Sequence, residues 1–204
     1  MKGFRLVPLD CPSCGAPMAG EAEDLVFYCT ACRSGHRWAP ATASLAPVEV
    51  AFVPSPTVPA AGHLPFWLVP ARVEMRRTAG GLGKLLELFG GGGAEGPADG
   101  AFVIPAYRLP LGRLVDLALA FTRELPARLD PASELLAERL TGGTLPAADA
   151  VKLARYVLVA AEVRRKDTLR DLDYTLDAGT PRLLGVPWVP RGEGRADALL
   201  GLPL

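Results

Sequence analysis

Cys11-Pro12-Ser13-Cys14-Gly15 and Cys29-Thr30-Ala31-Cys32 are the stretches on which the reading of this chain turns. Each Cys-x-x-Cys pair closes a tight turn that aims two sulfurs at one point. Two such pairs separated by a short loop supply the donor set of a tetrahedral Zn²⁺ site. Four thiolates fill the shell of that ion, so no position is left for water or substrate and the expected role is structural. Iron on the same sulfurs, or a pair of disulfides, are the alternatives that the spacing leaves open. No other stretch carries a chemical signal of this strength.

The residues around the cysteines extend the pattern. Cys-Pro-x-Cys-Gly, with Pro12 and Gly15, resembles the knuckle of zinc-ribbon (zinc β-ribbon) proteins. The resemblance implies that Leu25-Val26-Phe27-Tyr28 is the strand leading into the second knuckle, that Ser34-Gly35 is the turn after it, and that His36-Arg37-Trp38 is the closing strand. Arg33 departs from the pattern, because many ribbons carry Gly there; this weakens the turn without touching the ligands. The resemblance covers residues 1–40. It implies one structural Zn²⁺ on Cys11, Cys14, Cys29 and Cys32, and nothing catalytic.

The chain has 204 residues, enough for one core of ordinary size and a satellite module. Half of the residues, 50%, are apolar, which marks a globular protein. All four cysteines belong to the two pairs, which leaves no thiol for catalysis and suits a reducing, cytoplasmic setting. Met1 to Arg5 lacks the apolar stretch of a signal peptide, and no apolar run reaches the ~20 residues of a spanning helix. Formal net charge is zero. Around the cysteines, Lys2, Arg5, Arg33 and Arg37 are matched by Asp10, Glu21, Glu23 and Asp24. A module that grips nucleic acid by its phosphates should be basic, so nucleic-acid binding is disfavoured.

Beyond the cysteines, Pro40, Pro47, Pro54, Pro56, Pro59 and Pro65 punctuate a stretch whose only charge is Glu49. Residues 41–64 therefore read as a stiff linker carrying one short strand, Val48 to Phe52. Residues 65–204 read as the main domain, with its own core. Leu64 to Met75 predicts a central strand with Pro70 at a bulge or edge. Related aromatic phrases at Phe102 to Tyr107 and Val186 to Pro190 predict strands of the same sheet. Leu111 to Leu125 predicts a helix with Leu111, Leu114, Val115, Ala118, Phe121 and Leu125 on one face. Asp130-Pro131 opens a short helix to Leu140, and Pro146 opens a longer one to about Lys166 whose polar stripe is Lys152, Arg155 and Glu162. Its terminal Arg164, Arg165 and Lys166 suit the negative end of a helix dipole. Leu172, Tyr174 and Leu176 alternate with polar residues, and Asp177-Ala178-Gly179 turns the chain towards Arg182. The fold class is α+β: a cysteine module, then a mostly antiparallel sheet packed with about three helices.

Several catalytic spellings fail on context. Gly91 to Gly96 matches a dinucleotide loop, but Pro97 follows it and no helix starts there. Gly83-Lys84 lacks the flanking residues of a phosphate loop. His36 and His63, the only histidines, stand in no nucleophile–base pattern, although His36 could compete as a ligand. Asp171, Asp173 and Asp177 share one strand face and read as solvated, with a cation or acid–base site as the alternative. The glycine-rich insert at 78–100 holds one short amphipathic stripe, Leu82, Leu85, Leu86 and Phe89. So short a helix needs a surface, either in its own domain or on a partner protein; peripheral membrane contact is less favoured because the segment has no net charge. The reading as a whole is a non-catalytic zinc-stapled adaptor or assembly subunit. A nucleic-acid-binding ribbon is the first alternative. An enzyme using the aspartate face or a pocket near Trp67 and Trp188 is the second.

Overall fold

In a computed structural model the chain is described at residues 9–55, 59–77, 98–125, 139–164 and 172–204. The expected helix at 82–89 and the glycine-rich loops lie outside those residues. Two sheets form. The first joins β1 (Val26–Cys29), β2 (Ser34–Ala39) and β3 (Ser44–Val48) in an antiparallel meander. The second is built on β5 (Gly62–Arg77), which takes β6 (Ala98–Pro105) along one edge. The opposite edge is shared by β8 (Arg182–Arg191), paired with Gly62 to Leu68, and β7 (Leu172–Ala178), paired with Ala71 to Arg77. All three pairings are antiparallel. β4 (Val50–Phe52) adds to β8 in parallel, and β9 (Gly194–Asp197) folds back on β8 as a hairpin. The class is α+β.

Pro70 explains how β5 changes partner. A proline has no N–H to give to a ladder, so it belongs where a ladder is interrupted. On the β7/β8 edge, pairing with β8 ends at Leu68 and pairing with β7 begins at Ala71. The carbonyl of Pro70 still accepts from Gly179 N–H at 2.8 Å.

The uninterrupted apolar run Phe66-Trp67-Leu68-Val69 follows from burial on both faces of the sheet. Trp67, Val69, Ala71 and Val73 point into one cluster with Ala150, Ala154, Val157 and Leu158 of α2 (Ala147–Val163). Leu64, Phe66 and Leu68 point into the other, with Leu117, Phe121 and Leu125 on and just after α1 (Leu111–Glu124). The outer edge of β6 is managed by α1, whose buried Thr122 hydroxyl accepts from Val103 N–H at 3.0 Å. That bond satisfies a donor which an uncovered edge would leave without a protein partner.

Several sequence expectations need correction. Val48 to Phe52 is two strands, because the chain changes sheet at Glu49: β3 completes the cysteine-bearing sheet and β4 enters the main one. Arg139 and Leu140 are extended where a helix was expected to end; residues 126–138 of that helix lie outside the described residues. His63 N–H donates to the Arg139 carbonyl at 3.1 Å, and Thr141 N–H to the His63 carbonyl at 3.0 Å. Leu111 is 51% exposed, whereas Glu162 is 1% exposed. The open face of α2 instead carries Lys152, Arg155, Tyr156 and Val163. Arg164 ties α2 to α1 through Asp116 at 2.6 Å, an exposed pair of small energetic weight.

The two cores expected to be separate meet. Val26 of β1 is 1% exposed and belongs to the cluster that holds Trp67 and α2. Leu25 and Val26 N–H both donate to the Gly143 carbonyl, at 2.6 and 3.1 Å, and Gly143 N–H returns to the Val26 carbonyl at 3.3 Å. Gly142 sits so close to the Asp24 carboxylate that any Cβ there would collide with it. Tyr28 and Phe52 meet edge to face with ring centroids 5.3 Å apart, and Phe52 meets His63 in the same way at 5.1 Å.

Candidate metal centre

The two cysteine turns have the same backbone construction. Gly15 N–H donates to the Cys11 carbonyl at 2.8 Å, and Arg33 N–H donates to the Cys29 carbonyl at 2.7 Å. Both turns end in the left-handed region, with φ 74° at Gly15 and 61° at Arg33. Glycine accepts that conformation freely; an arginine adopts it at a steric cost. The departure noticed at Arg33 thus falls at the one residue of its turn that has to be left-handed.

These turns bring the sulfurs of Cys11, Cys14, Cys29 and Cys32 within 4.8 Å of one another. Cys11 Sγ lies 3.5 Å from Cys32 Sγ, and Cys14 Sγ lies 3.6 Å from Cys29 Sγ. Both distances are far above the ~2.05 Å of a disulfide. They lie somewhat below the ~3.8 Å edge of a tetrahedron with ~2.3 Å metal–sulfur bonds. Leu9, Ala16, Met18, Phe27 and Leu45 wrap the cluster; Cys11 and Cys29 are buried in it, while Cys14 and Cys32 face solvent. The four cysteines therefore stand where they could hold one metal ion.

Proton affinities across the set are uneven. Burial pushes the Cys11 thiol up, but hydrogen bonds from Ser34, from the backbone N–H groups of Ser13 and Cys14, and from Cys32 outweigh it and bring it to about 5. For Cys14 the backbone N–H of Ala16 favours the thiolate. The sulfurs of Cys32, Cys29 and Cys11, together with partial burial, override that bond and raise the thiol to about 12. Cys32 is lowered, first by Ser34. Sulfurs this close compete for negative charge, and only a cation among them lets all four ionise together.

Two further residues adjoin the sulfurs: His36, weighed in the sequence as a competing ligand, and Ser34, which was not. His36, 1% exposed, places Nε2 at 3.3 Å from Cys11 Sγ and 2.8 Å from Ser34 Oγ. Ser34 Oγ lies 3.0 Å from Cys32 Sγ. His36 is thus a neighbour of the Cys11–Cys32 side and stands outside the four-sulfur group. The alternation Ser34, His36 on one strand face was the available signal, but a closing strand next to a knuckle is usually read for its apolar residues.

The other expected features resolve otherwise. Arg72 stands opposite Asp177, and Arg76 opposite Asp173, in the β5–β7 register. Asp173 and Asp177 are exposed on that strand, and Asp171 lies outside the described residues. Trp67 is 0% exposed and its indole N–H donates to the Leu145 carbonyl at 2.8 Å. Leu82, Leu85, Leu86 and Phe89, the expected partner anchor, lie outside the described residues, as do both glycine-rich phosphate-loop spellings. No helix among the described residues is long and apolar enough to cross a membrane. No family model matches the chain, and no curated protein or solved structure matches it either.

Proposed function

We propose that the protein is a zinc-stapled recognition module, a non-catalytic adaptor or assembly subunit of a reducing, cytoplasmic compartment. The observation that carries the metal half of this reading is the four-sulfur cluster, with separations close to a tetrahedral edge. Zn²⁺ suits it because this borderline-soft ion takes soft thiolates and four of them close its shell, leaving no site for chemistry on the ion. When bound, the ion supplies folding energy and no reactivity. Protein purified without added metal should contain one equivalent of zinc by elemental analysis. Less than half an equivalent, with no iron in its place, would sink the assignment.

The recognition half rests on apolar surface. Tyr156 and Val163, two turns apart on α2, are 49% and 65% exposed, more than a helix covered on most sides would show. The stripe Leu82, Leu85, Leu86 and Phe89 has the i, i+3, i+4, i+7 spacing by which short helices enter grooves on partner proteins. Leu85→Asp combined with Phe89→Asp should abolish binding to the partner while zinc content and melting temperature stay nearly constant. A large fall in melting temperature would place the stripe in the protein's own core.

A further inference from the structure

We infer that Ser34 and His36 form a one-way hydrogen-bond chain that holds the Cys11–Cys32 side of the metal centre, and that this task is why a histidine is buried on β2. The inference rests on the four cysteines acting as metal ligands. Ser34 and His36 are two apart on one strand, so both side chains leave the same face, towards the sulfurs. Imidazole is costly to bury without partners, and His36 is 1% exposed. All its polar contacts lie on Nε2; Nδ1 is buried with no partner among the described residues.

The direction of the chain follows from what each atom can do. A metal-bound thiolate only accepts hydrogen bonds, so Nε2 at 3.3 Å from Cys11 Sγ has to carry the proton. The other tautomer would bury an unpaired N–H on Nδ1 and turn a lone pair towards a negative sulfur. With Nε2 as the donor, Ser34 Oγ at 2.8 Å accepts a share of the same N–H. Its own single hydroxyl hydrogen is then free for a sulfur, and goes to Cys32 Sγ at 3.0 Å in preference to Cys11 Sγ at 3.6 Å. Ser13 N–H adds a donor to Cys11 Sγ at 3.4 Å. Each group gives in one direction, and the chain ends on sulfur. Four thiolates around a divalent ion leave two surplus negative charges. Donors on the Cys11–Cys32 side disperse part of that charge and fix where those two sulfurs sit. Ser34 and His36 are positioning residues, since they act through the cysteines.

The test uses the full chain loaded with Zn²⁺ or Co²⁺. His36→Leu keeps an apolar body of similar size and deletes the donor. It should weaken zinc binding about 10–100-fold in chelator competition. It should also move the thiolate-to-cobalt charge-transfer band to lower energy, because a sulfur that loses a hydrogen bond gives up its electrons more readily. His36→Gln restores an N–H at that reach and should recover most of both signals. Ser34→Ala should weaken zinc binding about tenfold and shift the band in the same direction. Binding within twofold of wild type with an unmoved band, in either folded variant, would overturn the chain. Weakened binding in His36→Leu with an unmoved band and no recovery in His36→Gln would assign His36 to packing, which also overturns it. Should His36→Leu not fold, Ser34→Ala decides alone. Wild-type protein that takes up neither ion would overturn the metal centre itself, a different result from a loaded centre indifferent to Ser34 and His36.

Discussion

Removing the metal, by chelation or through Cys29→Ser, should lower the melting temperature of α1 and α2, which are distant in sequence from the cysteines. Structural Zn²⁺ contributes about 10–16 kcal/mol to the folding of small zinc modules, so the cysteine-bearing sheet is expected to come apart without it. Its loss then reaches the main core through Val26, which packs with Trp67 and α2. Exposing a buried valine costs about 1.5–3 kcal/mol. The bonds exchanged with Gly143 add about 1 kcal/mol each. Together these make about 4.5–6 kcal/mol, a large share of the ~5–15 kcal/mol that holds an ordinary domain. A fall of about 10 °C or more in the helical transition follows at ~2–4 °C per kcal/mol for a chain of this size. Circular dichroism at 222 nm, with and without chelator, reads it directly. An unchanged helical melting temperature would restore the picture of two independent cores that the proline-rich stretch first suggested.

Trp67→Ala should be the most damaging single substitution in the main sheet, at about 3–5 kcal/mol. Trp67 is fully buried on β5 between β6 and β8, and α2 packs over it. Its indole also satisfies the Leu145 carbonyl, just before α2 begins. Trp67→Phe separates the two contributions. It keeps most of the apolar contact and should cost about 1–3 kcal/mol, chiefly for a partly buried carbonyl left without its donor. Chemical denaturation of the two variants measures the difference. A Trp67→Ala protein with wild-type stability would contradict the buried position of the ring.

The parts of this architecture that were legible in the sequence are those where local pattern and tertiary demand agree. α1 announces itself through apolar periodicity, and α2 through Pro146 at its N-cap. The continuous apolar run at Phe66 to Val69 marked a strand covered on both sides, and the cysteine spacing predicted the sulfur cluster. Less legible was anything decided by which surfaces meet. Val48, Val50 and Phe52 alternate as one strand would, and nothing local says that the pairing partner changes at Glu49. Val26 reads as part of the cysteine module because its sequence neighbours do; its burial comes from Trp67 and α2, and it is bridged to Gly143, all far along the chain. Ser34, and any role of His36 other than that of a competing ligand, escaped for a related reason. A serine and a histidine near a complete set of ligands look redundant until distances show whom they touch.

The docking of β1 on Gly143 also has a consequence in time. During synthesis at ~5–20 residues per second, the stretch from Cys32 to Gly143 takes on the order of ten seconds to make. Through that interval the cysteine module has all its ligands but lacks the surface that will cover Leu25 and Val26. Its apolar edge faces solvent or a chaperone until Gly143 arrives. β5 waits longer still, since one of its partner strands, β8, runs to Arg191, and pairings between such distant segments are slow to form. An ion captured early would keep the first sheet in register while the remainder of the protein is being built. A metal ion held by these four cysteines would thus act on the order of assembly as well as on the stability of the finished product.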